Sequence, residues 1–183
     1  MSPPSTVLPA IIVVSGMQGA GKTTVAQLIA CQFPLCAHIE TDELTKLVVS
    51  GRRWPEQRAM SDEAALQLRL RLHNACLLAR SFVEAGFSAV IDDIIMGLRM
   101  DDLLMEMAEH PFYFVMLMPS FEVVVRREIG RGTKQHEQWA WMDDEVRTAT
   151  RRLGLWLDTS EQTADETVEE ILSRVWTEGL IEQ

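Results

Sequence analysis

The eight residues Gly16-Met17-Gln18-Gly19-Ala20-Gly21-Lys22-Thr23 follow the spacing G-x-x-x-x-G-K-[ST]. No other feature constrains the fold as much, because the motif works only between a strand and a helix. The flanks supply both. Ile11-Ile12-Val13-Val14 is a β-branched apolar run of the kind found in a buried parallel strand. Thr24-Val25-Ala26-Gln27-Leu28-Ile29-Ala30 carries apolar residues at helical spacing. Glycines permit backbone conformations that a side chain forbids. Successive N–H groups then turn inward as an anion nest at a helix N-terminus. The expected nucleotide-binding set is Gly16, Gly19, Ala20, Gly21, Lys22, Thr23 and Thr24. Lys22 is expected at the β and γ phosphates of ATP, and the Thr23 hydroxyl on Mg²⁺.

The 183 residues fit one domain, read as 10–183, behind a flexible lead of residues 1–9 that holds three prolines. The lead has no positively charged n-region, and no apolar run approaches the ~20 residues of a membrane span. A net charge of −10 argues against a protein that grips a nucleic-acid backbone. Of the 17 cationic residues 14 are arginine, which suits bidentate phosphate contacts. The cysteines are Cys31, Cys36 and Cys76, an odd number with no C-x-x-C pair, so a reducing cytoplasm fits better than disulfides or zinc.

Past the loop, strand and helix alternate. Short strands are expected at residues 37–40, 88–91, 112–118 and 155–157. Thr41 is the expected cap of a helix over residues 42–49. Ser61 caps a long helix to about residue 85, with Leu66, Leu70, His73, Leu77 and Leu78 on one broad apolar face, and Gly86 stops it. Helices are also expected over residues 100–109 and from Ser120 to about Glu128. An arginine-rich helix should run to about Leu153, and a last one, with a Thr163/Glu166 capping box, over residues 163–176. This order implies an α/β fold in three layers, a five-stranded parallel sheet with helices on both faces.

In such a sheet the ligand sits at the carboxyl ends of the strands. Asp42 follows the second strand and is the candidate base for a hydroxyl attacking a γ-phosphoryl group. An Asp balancing a helix dipole is the plainer account of it. Asp92 ends the third strand, where a carboxylate holds Mg²⁺ or simply closes a turn. Asp93 faces the substrate or starts a loop. Arg127 and Arg131 belong to a candidate lid over residues 126–140, where arginine stabilises the transferring charge. A solvated basic helix surface is the alternative. Asp158-Thr159-Ser160, after the fifth strand, is the usual place for the nucleotide base, and Asp158 is a candidate contact. No N-K-x-D motif is present, which favours ATP over GTP. Residues 43–87 form the acceptor side. Arg52, Arg53, Trp54, Met60, His73 and Met96 are candidates there, although core packing or surface exposure explains each such residue more often than not. The histidines show no metal spacing, so none is assigned a site.

These residues resemble the small P-loop phosphotransferases, and among them the chloramphenicol phosphotransferase-like group. Shikimate, gluconate and nucleoside monophosphate kinases are broader relatives. The resemblance rests on Gly16 to Thr23, on Ile39-Glu40-Thr41-Asp42, on Ala89-Val90-Ile91-Asp92-Asp93, and on Val115 to Ser120 leading into Arg126-Arg127. It implies ATP, Mg²⁺ and phosphoryl transfer to a hydroxyl of a small molecule, antibiotics included, with Asp42 as base. One departure stands out. Asp92 is followed by Asp93-Ile94-Ile95 rather than the glycine and aromatic of nucleoside monophosphate kinases. A nucleotide-switched regulatory ATPase and a nucleoside or nucleotide kinase stay open as alternatives, as does assembly into a homo-oligomer.

Overall fold

The computed structural model describes residues 9–53, 60–130, 132 and 140–182. In chain order the elements are β1 (Ile11–Gly16), α1 (Lys22–Ala30), β2 (Cys36–Glu40), α2 (Thr41–Lys46), α3 (Asp62–Glu84), β3 (Ser88–Asp92), α4 (Arg99–Glu106) and β4 (Phe112–Leu117). Then come α5 (Phe121–Gly130), α6 (Trp141–Asp144), a π-helical turn (Glu145–Ala149), β5 (Leu155–Leu157), α7 (Ala164–Glu178) and β6 (Leu180–Ile181). Five parallel strands stand in the order β2-β3-β1-β4-β5. β1 is central, so its carboxyl end opens in the middle of the sheet edge.

Helices cover both faces. α1 packs with α7 on one side, and α3 packs with α4 on the other. Strands covered on both sides have no solvent face, which is why β1, β3 and β4 are buried throughout and carry apolar residues without alternation at residues 11–14, 89–91 and 112–117. β6 was not expected. Its two residues pair antiparallel with the start of β4, beside the stretch of β4 that pairs β5. A two-residue strand carries no alternation to read.

The long helix begins and ends as expected. The Ser61 hydroxyl accepts from the Ala64 N–H at 3.2 Å. At the other end Gly86, with φ +87°, lets the Gly86 N–H reach the Val83 carbonyl and the Phe87 N–H reach that of Phe82. The Phe82 and Phe87 rings meet across this cap at 6.0 Å. Its apolar face is a correction. Leu66, Leu70, Leu77 and Leu78 are exposed, and the side turned to the sheet carries Leu72, Ala75, Cys76 and Ala79. Small side chains let the helix lie close to the strands, so the contact face is the less hydrophobic-looking one.

Three further expectations change. Thr41 does not cap α2. β2 runs straight into the helix, Glu40 takes the cap position with no side-chain bond, and Thr41 is buried as the first helical residue. α2 ends at Lys46, not at 49. In place of the arginine-rich helix to Leu153, the described residues show a short α-helix and a π-helical turn that stops at Thr150, which is extended. The Thr163/Glu166 capping box is present. Among the described residues no helix is long and apolar enough to cross a membrane.

Candidate active site

The loop after β1 folds as its glycines demand. Gly19 has φ +81°, and a Cβ there would stand 2.8 Å from Val124 Cγ1. Only glycine allows both that conformation and that approach. Gly16 closes β1 against Leu117, and Gly21 takes the N-cap of α1 in the left-handed region. Lys22 folds back over the loop, its Nζ donating to the Met17 carbonyl at 3.1 Å. Burial pulls the Lys22 ammonium below its ordinary pKa, although Asp92, Asp42 and Asp93 each push it up.

A cavity of about 250 Å³ opens over this loop. Gly19, Gly21, Lys22, Thr23 and Thr24 line one wall, and Glu40, Asp42, Asp92 and Asp93 line the other. The ends of three strands therefore converge where the parallel-sheet rule places a ligand. A second cavity of about 310 Å³ lies on the far side of the loop, between Ala20, Gly21, Thr24, Arg127, Thr159 and Gln162. Gly21 and Thr24 border both, so the two form one trough across the loop.

The two adjacent aspartates have different environments. Asp92 is buried, and that burial raises its pKa, opposed by Lys22, a hydrogen bond from Thr23 and His38. Its Oδ2 stands 3.9 Å from His38 Nε2. Asp93 is also buried, which alone would raise its pKa, but Arg99 and Arg71 overcome this and hold it at about 2. Arg71 Nη2 donates to Asp93 Oδ1 at 2.5 Å and Arg99 Nη2 to Oδ2 at 2.8 Å. Asp93 is thus a brace that is charged at neutral pH. Arg71, itself only 8% exposed, reaches further. Its Nη1 donates to Asp42 Oδ1 at 3.1 Å and to Thr45 Oγ1 at 3.3 Å.

Sequence reasoning missed Arg71 and Arg99. Both sit inside helical segments, and no short motif marks them. The histidine reasoning also missed that strand register puts His38 beside Asp92. Arg127 lies at the second cavity, where its Nη1 donates to the Ala20 carbonyl at 3.1 Å and its Nη2 to the Thr159 carbonyl at 3.2 Å. Asp158 lines neither cavity. It accepts from the Ser160 N–H at 2.9 Å, and Thr159 lines the trough instead. Arg52, Arg53, Met60, His73 and Met96 do not line the cavity over the loop. His73 pairs with Glu106 at 2.8 Å, and Met96 is buried in the core. Arg131, residues 133–139 of the expected lid, and Trp54 lie outside the described residues.

Residues that could hold Mg²⁺ are Thr23 and Asp92. A hydroxyl and a carboxylate are hard oxygen donors of the kind that this ion takes alongside phosphate and water. Thr23 and Asp92 line the same cavity, and the Thr23 side chain is near enough to oppose the rise in the Asp92 pKa. The two residues fit the ion.

Solved structures share the fold. The tunicamycin resistance protein of Deinococcus radiodurans superposes with a TM-score of 0.67 at 20% identity, covering 100% of both chains. A sugar kinase from Janibacter sp. HTCC2649 gives 0.63 at 23% identity, covering 90% of this chain and 92% of its own. The APS kinase CysC of Mycobacterium tuberculosis, in complex with AMPPNP and APS, gives 0.65 at 15% identity, covering 90% and 95%. No curated protein sequence matches the chain. The family model described as chloramphenicol phosphotransferase-like protein matches residues 9–176. With that match across its strands, loop and carboxylates, the chain belongs to the chloramphenicol phosphotransferase-like family of P-loop phosphotransferases.

Proposed function

We propose that the protein transfers the γ-phosphoryl group of ATP to a hydroxyl of a small molecule, with antibiotics as the first acceptor class to test. The observation that carries this reading is the meeting of Lys22, Asp42 and Asp92 around one cavity of about 250 Å³. A nucleotide switch needs the lysine and the metal carboxylate but has no use for a second carboxylate facing them. Lys22 and the loop N–H groups hold the phosphates and meet the charge that builds up during transfer. Thr23 and Asp92 hold Mg²⁺, which neutralises phosphate charge when bound. Asp42 accepts the proton of the attacking hydroxyl, and Arg71 keeps that carboxylate turned toward the cavity. Asp93, held at a pKa of about 2, stays ionised and takes no proton. Arg127 and Thr159 border the trough where the nucleotide base would lie.

Antibiotics come first because of the family's name and because one structural relative is a tunicamycin resistance protein. ADP release from Mg²⁺ and ATP, measured with phenicols, aminoglycosides, macrolides, nucleosides, sugars and sugar acids, tests the reading. Acceleration by one class that disappears in Lys22→Ala is expected. A flat panel over a slow, lysine-dependent hydrolysis would overturn it in favour of a regulatory ATPase.

A further inference from the structure

His38 lies midway along β2, and its Cα partner in β3 is Val90, while Glu40 partners Asp92. Side chains two residues apart on a strand share a face. The register therefore puts His38 and Asp92 on the same side of the sheet as diagonal neighbours. A slip of one residue would turn His38 to the other face. The two side chains meet with Nε2 and Oδ2 at 3.9 Å. Both atoms are buried, and neither has a hydrogen-bond partner among the described residues. A donor and an acceptor buried side by side without other partners are complementary, since buried polar groups are rarely left unmatched. The remaining gap closes with a small rotation of the ring.

We propose that His38 is a positioning residue for the Mg²⁺ site, its Nε2–H donating to Asp92 Oδ2 and so fixing the carboxylate beside the Thr23 hydroxyl. This rests on the reading of Thr23 and Asp92 as the residues that hold the ion. His38 does not line the cavity. It works from behind, as donors behind metal-ligating carboxylates generally do.

The test uses the full chain with ADP and Mn²⁺, a paramagnetic substitute for Mg²⁺, and needs no acceptor. Two titrations are made, ADP in the presence of a chelator and Mn²⁺ at saturating ADP followed by electron paramagnetic resonance. His38→Leu removes the donor, and His38→Gln keeps an N–H at similar reach. His38→Leu is expected to bind ADP alone as the parent does, and to lose roughly 10- to 100-fold in Mn²⁺ affinity. His38→Gln is expected to recover most of that loss. Unchanged Mn²⁺ affinity in His38→Leu overturns the proposal. So does a His38→Gln variant as weak as His38→Leu, which would make the effect one of packing. So does a loss of ADP binding in the chelator, which would mean a general disturbance of the loop. A parent protein that binds neither ADP nor Mn²⁺–ADP fails the phosphotransferase reading itself, and the proposal falls with it.

Discussion

The two sides of the trough, proposed above as its donor side and its acceptor side, are built in different ways. On the donor side the fixed contacts are to backbone. Lys22 rests on the Met17 carbonyl, and Arg127 ties the Ala20 carbonyl to that of Thr159. On the acceptor side the fixed contacts are between charged side chains far apart in sequence. Arg71 meets Asp42 across 29 residues and Asp93 across 22. A cradle of backbone groups depends on local conformation, which a short motif can specify. A carboxylate held by a distant guanidinium depends on the packing of the whole α3 face.

The largest separation between the sides should come from Asp42→Asn. If Asp42 is the base, transfer to an identified acceptor falls by about 10²–10⁴. Slow hydrolysis of ATP in the absence of acceptor should hardly change, because that reaction leans on the donor side. Parallel assays of ADP release with and without acceptor would show this, and an equal loss in both would place Asp42 in nucleotide binding instead. Lys22→Ala is the reverse probe. Losing a cation that stabilises the transferring group costs roughly 10²–10³ in rate. Here transfer and hydrolysis should fall together while the unfolding midpoint stays near that of the parent. A variant that kept most of its hydrolysis would end the mechanism.

Asp93→Asn strikes the acceptor side through stability. It leaves Arg71 and Arg99 facing a neutral group in a buried place, at a cost of about 3 kcal/mol. The parent should show the same term as a pH dependence. Asp93 has a folded pKa of about 2, below the ordinary carboxylate value of 3.8. The unfolded chain therefore takes up the proton first as pH falls. The stabilisation is complete above about pH 4, shrinks between about pH 4 and pH 2, and is gone below. Its full size is about 2–3 kcal/mol. Denaturant titrations across that window should show a slope that Asp93→Asn removes, and equal slopes in both proteins would refute the assignment.

The sheet, the loop and the strand-end carboxylates were legible in the sequence because each leaves a local trace. Ile11 to Val14 is apolar without a break because both faces of β1 are covered, and the spacing from Gly16 to Thr23 is contiguous. The split between Asp92 and Asp93 was not legible. Two adjacent identical residues part because burial raises the pKa of Asp92 while Arg99 and Arg71 hold that of Asp93 at about 2, and no periodicity singles those arginines out. His38 was invisible for a related reason, since its neighbour is set by the pairing of β2 with β3. Asp158 misled because the turn that it caps puts Thr159, not Asp158, at the trough.

The buried face of α3 gives the smallest effects and a check on the acceptor side as a whole. Hydrophobicity points to Leu66, Leu70 and Leu77, yet these are exposed, and Ala75 is fully buried. If Ala75 is small so that α3 can lie on the sheet and deliver Arg71, then Ala75→Leu should lift the helix. A stability loss of about 1–3 kcal/mol follows from overpacking, and the Arg71 contacts at Asp42 and Asp93 loosen with it. Transfer should then fall more than ADP binding does. Leu70→Gln changes a far more hydrophobic residue, yet it should stay within about 0.5 kcal/mol of the parent in denaturant unfolding. The order of these two effects is the discriminating result. Should Leu70→Gln prove the costlier, the leucine stripe would be the covered face of α3, and the route by which Arg71 reaches Asp42 would have to be different.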